Sequence, residues 1–178
     1  YINAELLTGN ANGSLHFNTD AEYTGGTNNM NASSVDTNNI HVISSGNVNT
    51  DGQKYVAYVF TPIKGYSRFG VYEGNGSADG TFVYTGFKPA WLLIKRTDTT
   101  QHWSLFDNKR KGFNGDNDFL YPNLNNTETS VEWVDLVSNG FKLITTDSQV
   151  NTSGADHIYY AFAEHPFVSS KGVPVTAR

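Results

Sequence analysis

The segment Val48-Asn49-Thr50-Asp51-Gly52, followed by Val56-Ala57-Tyr58-Val59-Phe60, returns 102 positions later as Val150-Asn151-Thr152-Ser153-Gly154 followed by Ile158-Tyr159-Tyr160-Ala161-Phe162. A turn and an alternating strand that recur together constrain the chain strongly, because each copy must offer the same edge and faces to whatever packs against it. Asn38 to Ile43 lines up with Asn139 to Ile144 once one residue is gapped, and Tyr1 to Leu6 matches Phe119 to Leu124 more loosely. The alignment predicts one and a half internal repeats. Residues 1–65 form the second half of a degenerate first repeat, with an insertion near 14–34, and residues 66–178 form a complete second repeat and a C-terminal tail. The start at Tyr1 rather than Met is read as a piece of a longer polypeptide.

Almost every patterned segment alternates with a period of two, the spacing of a half-buried strand. Val56, Tyr58 and Phe60 point one way, as do Ile158, Tyr160 and Phe162, which are assigned to the buried register. Phe141 and Leu143 alternate with Lys142, and Ile40 and Val42 with His41. Trp91-Leu92-Leu93-Ile94 does not alternate and reads as a central strand covered on both faces. Gly, Asn and Asp crowd the stretches between, at Gly74 to Gly80, Asn114 to Asp118 and Asn123 to Thr129. The predicted fold is an all-β, antiparallel β-sandwich of jelly-roll or lectin-like type.

Several function classes fall away. Twelve basic against seventeen acidic residues leave a charge of −5, which gives no electrostatic grip on nucleic acid or anionic lipid. Cysteine is absent, removing disulfides, thiolate zinc sites and thiol nucleophiles. No apolar run approaches the roughly twenty residues of a membrane-crossing helix, so neither nucleic acid nor membrane is expected as a partner.

Catalytic and cofactor patterns fail on inspection. After Gly74-Asn75-Gly76 a dinucleotide fingerprint requires Gly where Asp79 stands, and a strand-like Phe82-Val83-Tyr84 follows instead of a helix. In Gly65-Tyr66-Ser67-Arg68-Phe69, Phe69 occupies a position that a nucleophile elbow gives to Gly, so Ser67 reads as a loop residue. Glu132 and Asp135 would fall on opposite faces of a strand over residues 131–137, and Glu164 stands alone after its strand. A polysaccharide depolymerase needs two convergent carboxyl groups and is the least favoured alternative. His16, His41, His102, His157 and His165 lack metal-ligand spacing and read as surface or edge residues. Asp116-Asn117-Asp118 offers oxygen ligands that calcium could use, but the Gly and closing Glu of a calcium loop are missing, so it reads as a solvated turn. No catalytic residue, metal site or cofactor is assigned.

Aromatic residues make up 13% of the chain, and most belong to a core. Trp103, Tyr72 and Tyr121 lie near turns and are the candidate contacts for a glycan, whose sugar faces stack on exposed rings.

The strings Tyr66-Ser67-Arg68-Phe69-Gly70, Phe82-Val83-Tyr84-Thr85-Gly86-Phe87-Lys88-Pro89-Ala90-Trp91 and Ile94-Lys95-Arg96-Thr97-Asp98 are of one kind. With Phe106 to Arg110, Asn139 to Leu143 and Tyr160 to Phe167, they resemble an uncharacterised C-terminal repeat domain of virion structural proteins in marine tailed bacteriophages. Ser170-Lys171-Gly172-Val173-Pro174 to Arg178 is similar to that family's usual ending, which suggests a natural chain end. The likeness is dense from Tyr66 to Arg178 and degenerate before it. It implies a non-enzymatic structural component of a virion, in a tail fibre or surface appendage. The implied partners are other virion proteins and further copies of the chain, as a homo-oligomer and by analogy a trimer. A carbohydrate-binding, receptor-recognising module touching a host cell-surface glycan is the alternative.

Overall fold

The computed structural model describes residues 2–3, 14–24, 42, 45–110, 114–115, 117–168 and 174–175. The strands in chain order are β1 (Ile2–Asn3), β2 (Ser14–Leu15), β3 (Ser67–Glu73), β4 (Phe82–Tyr84), β5 (Pro89–Arg96), β6 (Ser104–Asp107) and β7 (Asn117–Leu120). They are followed by β8 (Thr129–Val131), β9 (Val134–Val137), β10 (Gly140–Leu143), β11 (Asp156–Ala163), β12 (Phe167–Val168) and β13 (Pro174–Val175). A six-stranded sheet in the order β3-β11-β5-β6-β7-β8 packs against a three-stranded sheet, β4-β10-β9. All pairings are antiparallel, so the molecule is the all-β sandwich that the alternation predicts.

The core between the sheets takes Tyr72 from β3, Leu92 and Ile94 from β5, Phe106, Phe119, Tyr159 and Ala161 from the large sheet. Val83, Val134, Leu136, Phe141 and Leu143 come from the small one. A second cluster lies on the opposite face of the large sheet, where Leu93, Trp103 and Ile158 meet Leu15. β5 feeds both clusters, which explains why Trp91 to Ile94 shows no alternation.

Several elements differ from expectation. On β11 the sandwich core takes Tyr159 and Ala161, whereas Tyr160 and Phe162 point to the other face and are only half-buried. The alternation is as read, but burial falls on both registers, at Ile158 on one and at Tyr159 and Ala161 on the other, because both faces of a central strand are apolar and period alone cannot say which meets the second sheet. Residues 131–137 are not one strand. The chain leaves the large sheet after Val131 and enters the small one at Val134, so Glu132 lies in the connection between the sheets and Asp135 in the small sheet. Ser67 opens β3 and is buried. Residues 14–24, set aside as part of an insertion, lie across the second face: Tyr23 N–H donates to the Thr97 carbonyl at 2.8 Å, and Gln101 N–H to the Asp20 carbonyl at 2.9 Å. Of the expected strand over 40–43, Ile40, His41 and Ile43 lie outside the described residues.

Candidate functional site

Two of the three predicted glycan contacts are core residues. The indole of Trp103 is fully buried; its Nε1–H donates to the His16 carbonyl at 2.9 Å, and its ring meets Phe17 at 5.2 Å. It fastens residues 14–24 to the sheet. Tyr72 stacks flat on His157 with ring centroids 5.0 Å apart, and its hydroxyl donates to the Val150 carbonyl at 2.7 Å. Burial raises its pKa well above the usual tyrosine range. A ring sealed on both faces has none left for a sugar, so Trp103 and Tyr72 are withdrawn as contacts: nearness to a turn in sequence does not fix which way a strand residue points. Tyr121 is half-buried, wedged against Phe119 and His102, and its hydroxyl accepts a hydrogen bond from Gln149 at 2.8 Å.

The charged candidates also move. His157 is a buried residue of β11, not a surface one; Nδ1 faces the Ala155 carbonyl at 3.0 Å, and burial lowers its pKa to about 4. Glu164 is not alone. Lys88 lies 3.0 Å from one carboxylate oxygen, Asn108 donates to the other at 2.7 Å, and the bond from Lys88 holds the carboxyl below its ordinary range. That favours the ionised form, the opposite of what a general acid needs. Asp116 lies outside the described residues. Asn117 and Asp118 belong to β7 rather than to a solvated turn, with Asn117 buried and accepting from Val134 N–H at 3.3 Å. Among the described residues no group of three or more His, Asp or Glu is placed to hold a metal ion.

The duplicated turn is duplicated in conformation. In the second copy Val150 and Asn151 N–H donate to the Asp147 carbonyl, Ala155 N–H to Thr152, and the Thr152 hydroxyl to Ser148. In the first, Val48 and Asn49 donate to Ser45, Gln53 to Thr50, and the Thr50 hydroxyl to Gly46. Gly52 and Gly154 both sit at φ 72°, in the left-handed region that glycine enters without a Cβ clash. The following segments then diverge. Residues 156–163 become β11, flanked on both sides by β3 and β5. The predicted strand at Val56 to Phe60 does not form: the segment lies in no sheet, with Val56 80%, Tyr58 83%, Val59 66% and Phe60 61% exposed. Local turn chemistry suffices to fold the turn, but a strand apolar on both faces needs neighbours on both edges, and among the described residues no strand pairs with this one.

This segment ends at a tight hairpin. Ile63 and Ser67 exchange N–H···O bonds of 3.0 and 2.9 Å around Lys64-Gly65-Tyr66, with Gly65 at φ 77°. Three-residue hairpins of this kind commonly carry a left-handed residue. Phe60 turns back onto the second face of the sheet, against Phe162 at 5.7 Å and Phe69 at 6.3 Å. Beside the hairpin an open groove of about 540 Å³ runs between Pro62, Arg68 and Tyr84. Tyr84 is 57% exposed, and the Arg68 guanidinium carbon lies 5.9 Å from its ring centre, within cation–π range. Tyr84 and Phe82 are not among the contacts expected from sequence, although the alternation of Phe82-Val83-Tyr84 around an inward Val83 signals that both face outward.

The fold defines an all-β sandwich with an exposed aromatic margin along the β3 edge. The chain belongs to the family described as a domain of unknown function, DUF7483, whose model matches residues 2–166. That match runs across the boundary expected at residues 65 and 66. No curated protein and no solved structure matches the chain.

Proposed function

We propose that this chain is a non-enzymatic structural component of a tailed-phage virion, displayed in a tail fibre or surface appendage and held there by contacts with other virion proteins. The observation that carries the reading is the exposed apolar run Tyr55 to Phe60, whose last ring lies against Phe69 of β3, a segment on a packed sandwich and of the kind that assembly covers. The likeness of residues 66–178 to a phage virion domain supports it from the sequence side. Immunogold labelling and peptide mapping of purified particles test it. The expected result is label on intact virions at a fixed position; label confined to infected lysate and absent from particles would sink the reading.

A second reading, a glycan-binding receptor module, is favoured by one specific feature. The exposed Tyr84 ring with Arg68 across it lines an open groove, an arrangement that suits a sugar face and its hydroxyl groups. A host-glycan array comparing the native chain with Tyr84→Ala should show binding lost in the variant. Equal binding by both, or by neither, removes the groove from consideration.

A further inference from the structure

We propose that residues Tyr55–Val59 of one copy of this chain add as a strand to the open edge of β3 in a second copy. β3 is the outermost strand of the large sheet, and its backbone groups alternate between two sides. The side facing β11 is fixed by two bonds, Ala163 N–H to the Tyr66 carbonyl at 2.8 Å and Gly74 N–H to the Ala155 carbonyl at 2.9 Å. Arg68, Gly70 and Tyr72 therefore serve β11. Ser67, Phe69, Val71 and Glu73 face outward. Ser67 is occupied by Ile63, and the Glu73 carbonyl accepts from the Thr81 hydroxyl at 2.9 Å. Among the described residues, Phe69 and Val71 have no partner on this side and offer N–H and C=O groups to an incoming strand.

The occupant is argued from the chain itself. Tyr55 to Val59 corresponds to His157 to Ala161 of β11, follows the same turn, and is apolar on both faces as β11 is. β3 thus already accepts this sequence pattern on its inner edge, and its outer edge carries no further strand among the described residues. Repeating the β11 register, in which Ile158 faces Val71 and Tyr160 faces Phe69, places Val56 opposite Val71 and Tyr58 opposite Phe69. Both are apolar cross-strand pairs of the kind that stabilise sheets.

The chain's own β3 is disfavoured by parity. Continuing the Ile63–Ser67 ladder would set Phe60 opposite Gly70 and turn its ring to the sandwich side, whereas Phe60 is seated on the opposite face against Phe69 and Phe162. A second copy can take residues 55–59 with Phe60 left where it is. Net charge does not forbid the approach, since the donor run carries no charged side chain.

Light scattering on the eluted chain across a dilution series tests the pairing, alongside Tyr58→Pro and Val71→Pro. Each proline deletes an N–H that the proposed ladder uses; at Val71 that N–H faces away from β11, so the internal sheet keeps its bonds. The native chain should run as two or more copies. Both variants should dissociate at concentrations at least about tenfold higher, with near-ultraviolet circular dichroism unchanged. Should Val71→Pro lose that spectrum, Val56→Asp on the exposed donor reads the same contact without touching β3. The chain has no cysteine, so mixing Val56→Cys chains with Val71→Cys chains reports the register as an interchain disulfide. A native chain that is monomeric throughout, an oligomer indifferent to both prolines, or an intrachain disulfide in a monomeric Val59→Cys/Val71→Cys double variant would overturn the proposal. Particle incorporation is judged by its own experiment and does not depend on this one.

Discussion

Trp103 carries more of the molecule than its place beside a turn suggests. Its ring joins Leu15 and Phe17 to Leu93 and Ile158, so truncation removes both a large buried surface and the anchor of residues 14–24. Trp103→Ala should lower unfolding stability by about 3–5 kcal/mol in urea titration, and hydrogen exchange should show Tyr23 N–H losing protection. His157 sets part of the acid response. Its folded pKa, about 4, lies below the ordinary 6.5, with desolvation as the main cause and Arg96 and Lys95 opposing its charge. Above pH 6.5 neither state binds the proton. As pH falls from 6.5 to about 4 the unfolded chain takes it up and the folded chain does not, so stability declines, by on the order of 3 kcal/mol in all. His157→Gln should flatten that part of a stability–pH curve; an unchanged acid limb would show that other groups govern it. Of the candidate contacts, the sequence could say that Trp103, Tyr72 and Tyr121 were large rings near turns. It could not say that two of them face inward, because the layers above and below β3 and β6 are assembled from segments far apart in the chain.

The two copies of the turn offer a controlled comparison at the level of elements. Both use a glycine at φ 72° and the same hydrogen bonds, yet only the second leads into a paired strand. Alanine at such a φ costs roughly 1–2 kcal/mol. Gly154→Ala should therefore reduce global stability by about that amount, whereas Gly52→Ala should leave the unfolding midpoint of the monomer unchanged, because the strain falls on a segment already outside the sheet. Gly140 is constrained differently: a methyl there would clash with the Val83 carbonyl oxygen, at the β4–β10 pairing. Gly140→Ala should destabilise more than Gly154→Ala in the same titration. Strand existence, turn positions and the two-sided burial of β5 were legible because they depend on local alternation and on Gly, Asn and Asp. The sheet change between β8 and β9, and the failure of Val56 to Phe60 to pair, were not. Both are decided by which edges are free once the sheets have formed.

Across the described residues, one face of the large sheet is closed by the small sheet and the other is partly covered by residues 14–24 and Phe60. Limited trypsin digestion should cut first at the exposed Lys54 and Lys64, before Lys95 or Arg96 within β5. The nicked pieces should co-elute, because Leu15, Tyr23 and Asp20 still bind the sheet; prompt separation would show that those contacts do not hold. Two pins bracket the exposed run, the glycine turn with its Thr50 to Gly46 bond upstream and the Phe60 ring set among Phe69 and Phe162 downstream. A tether fixed at both ends reaches a partner with few torsions left to freeze, and ordering is the main entropic obstacle to such contacts. Loosening either pin, with Gly52→Ala or Phe60→Ala, should weaken association by slowing the approach to the bound shape, even though neither side chain touches the neighbouring molecule.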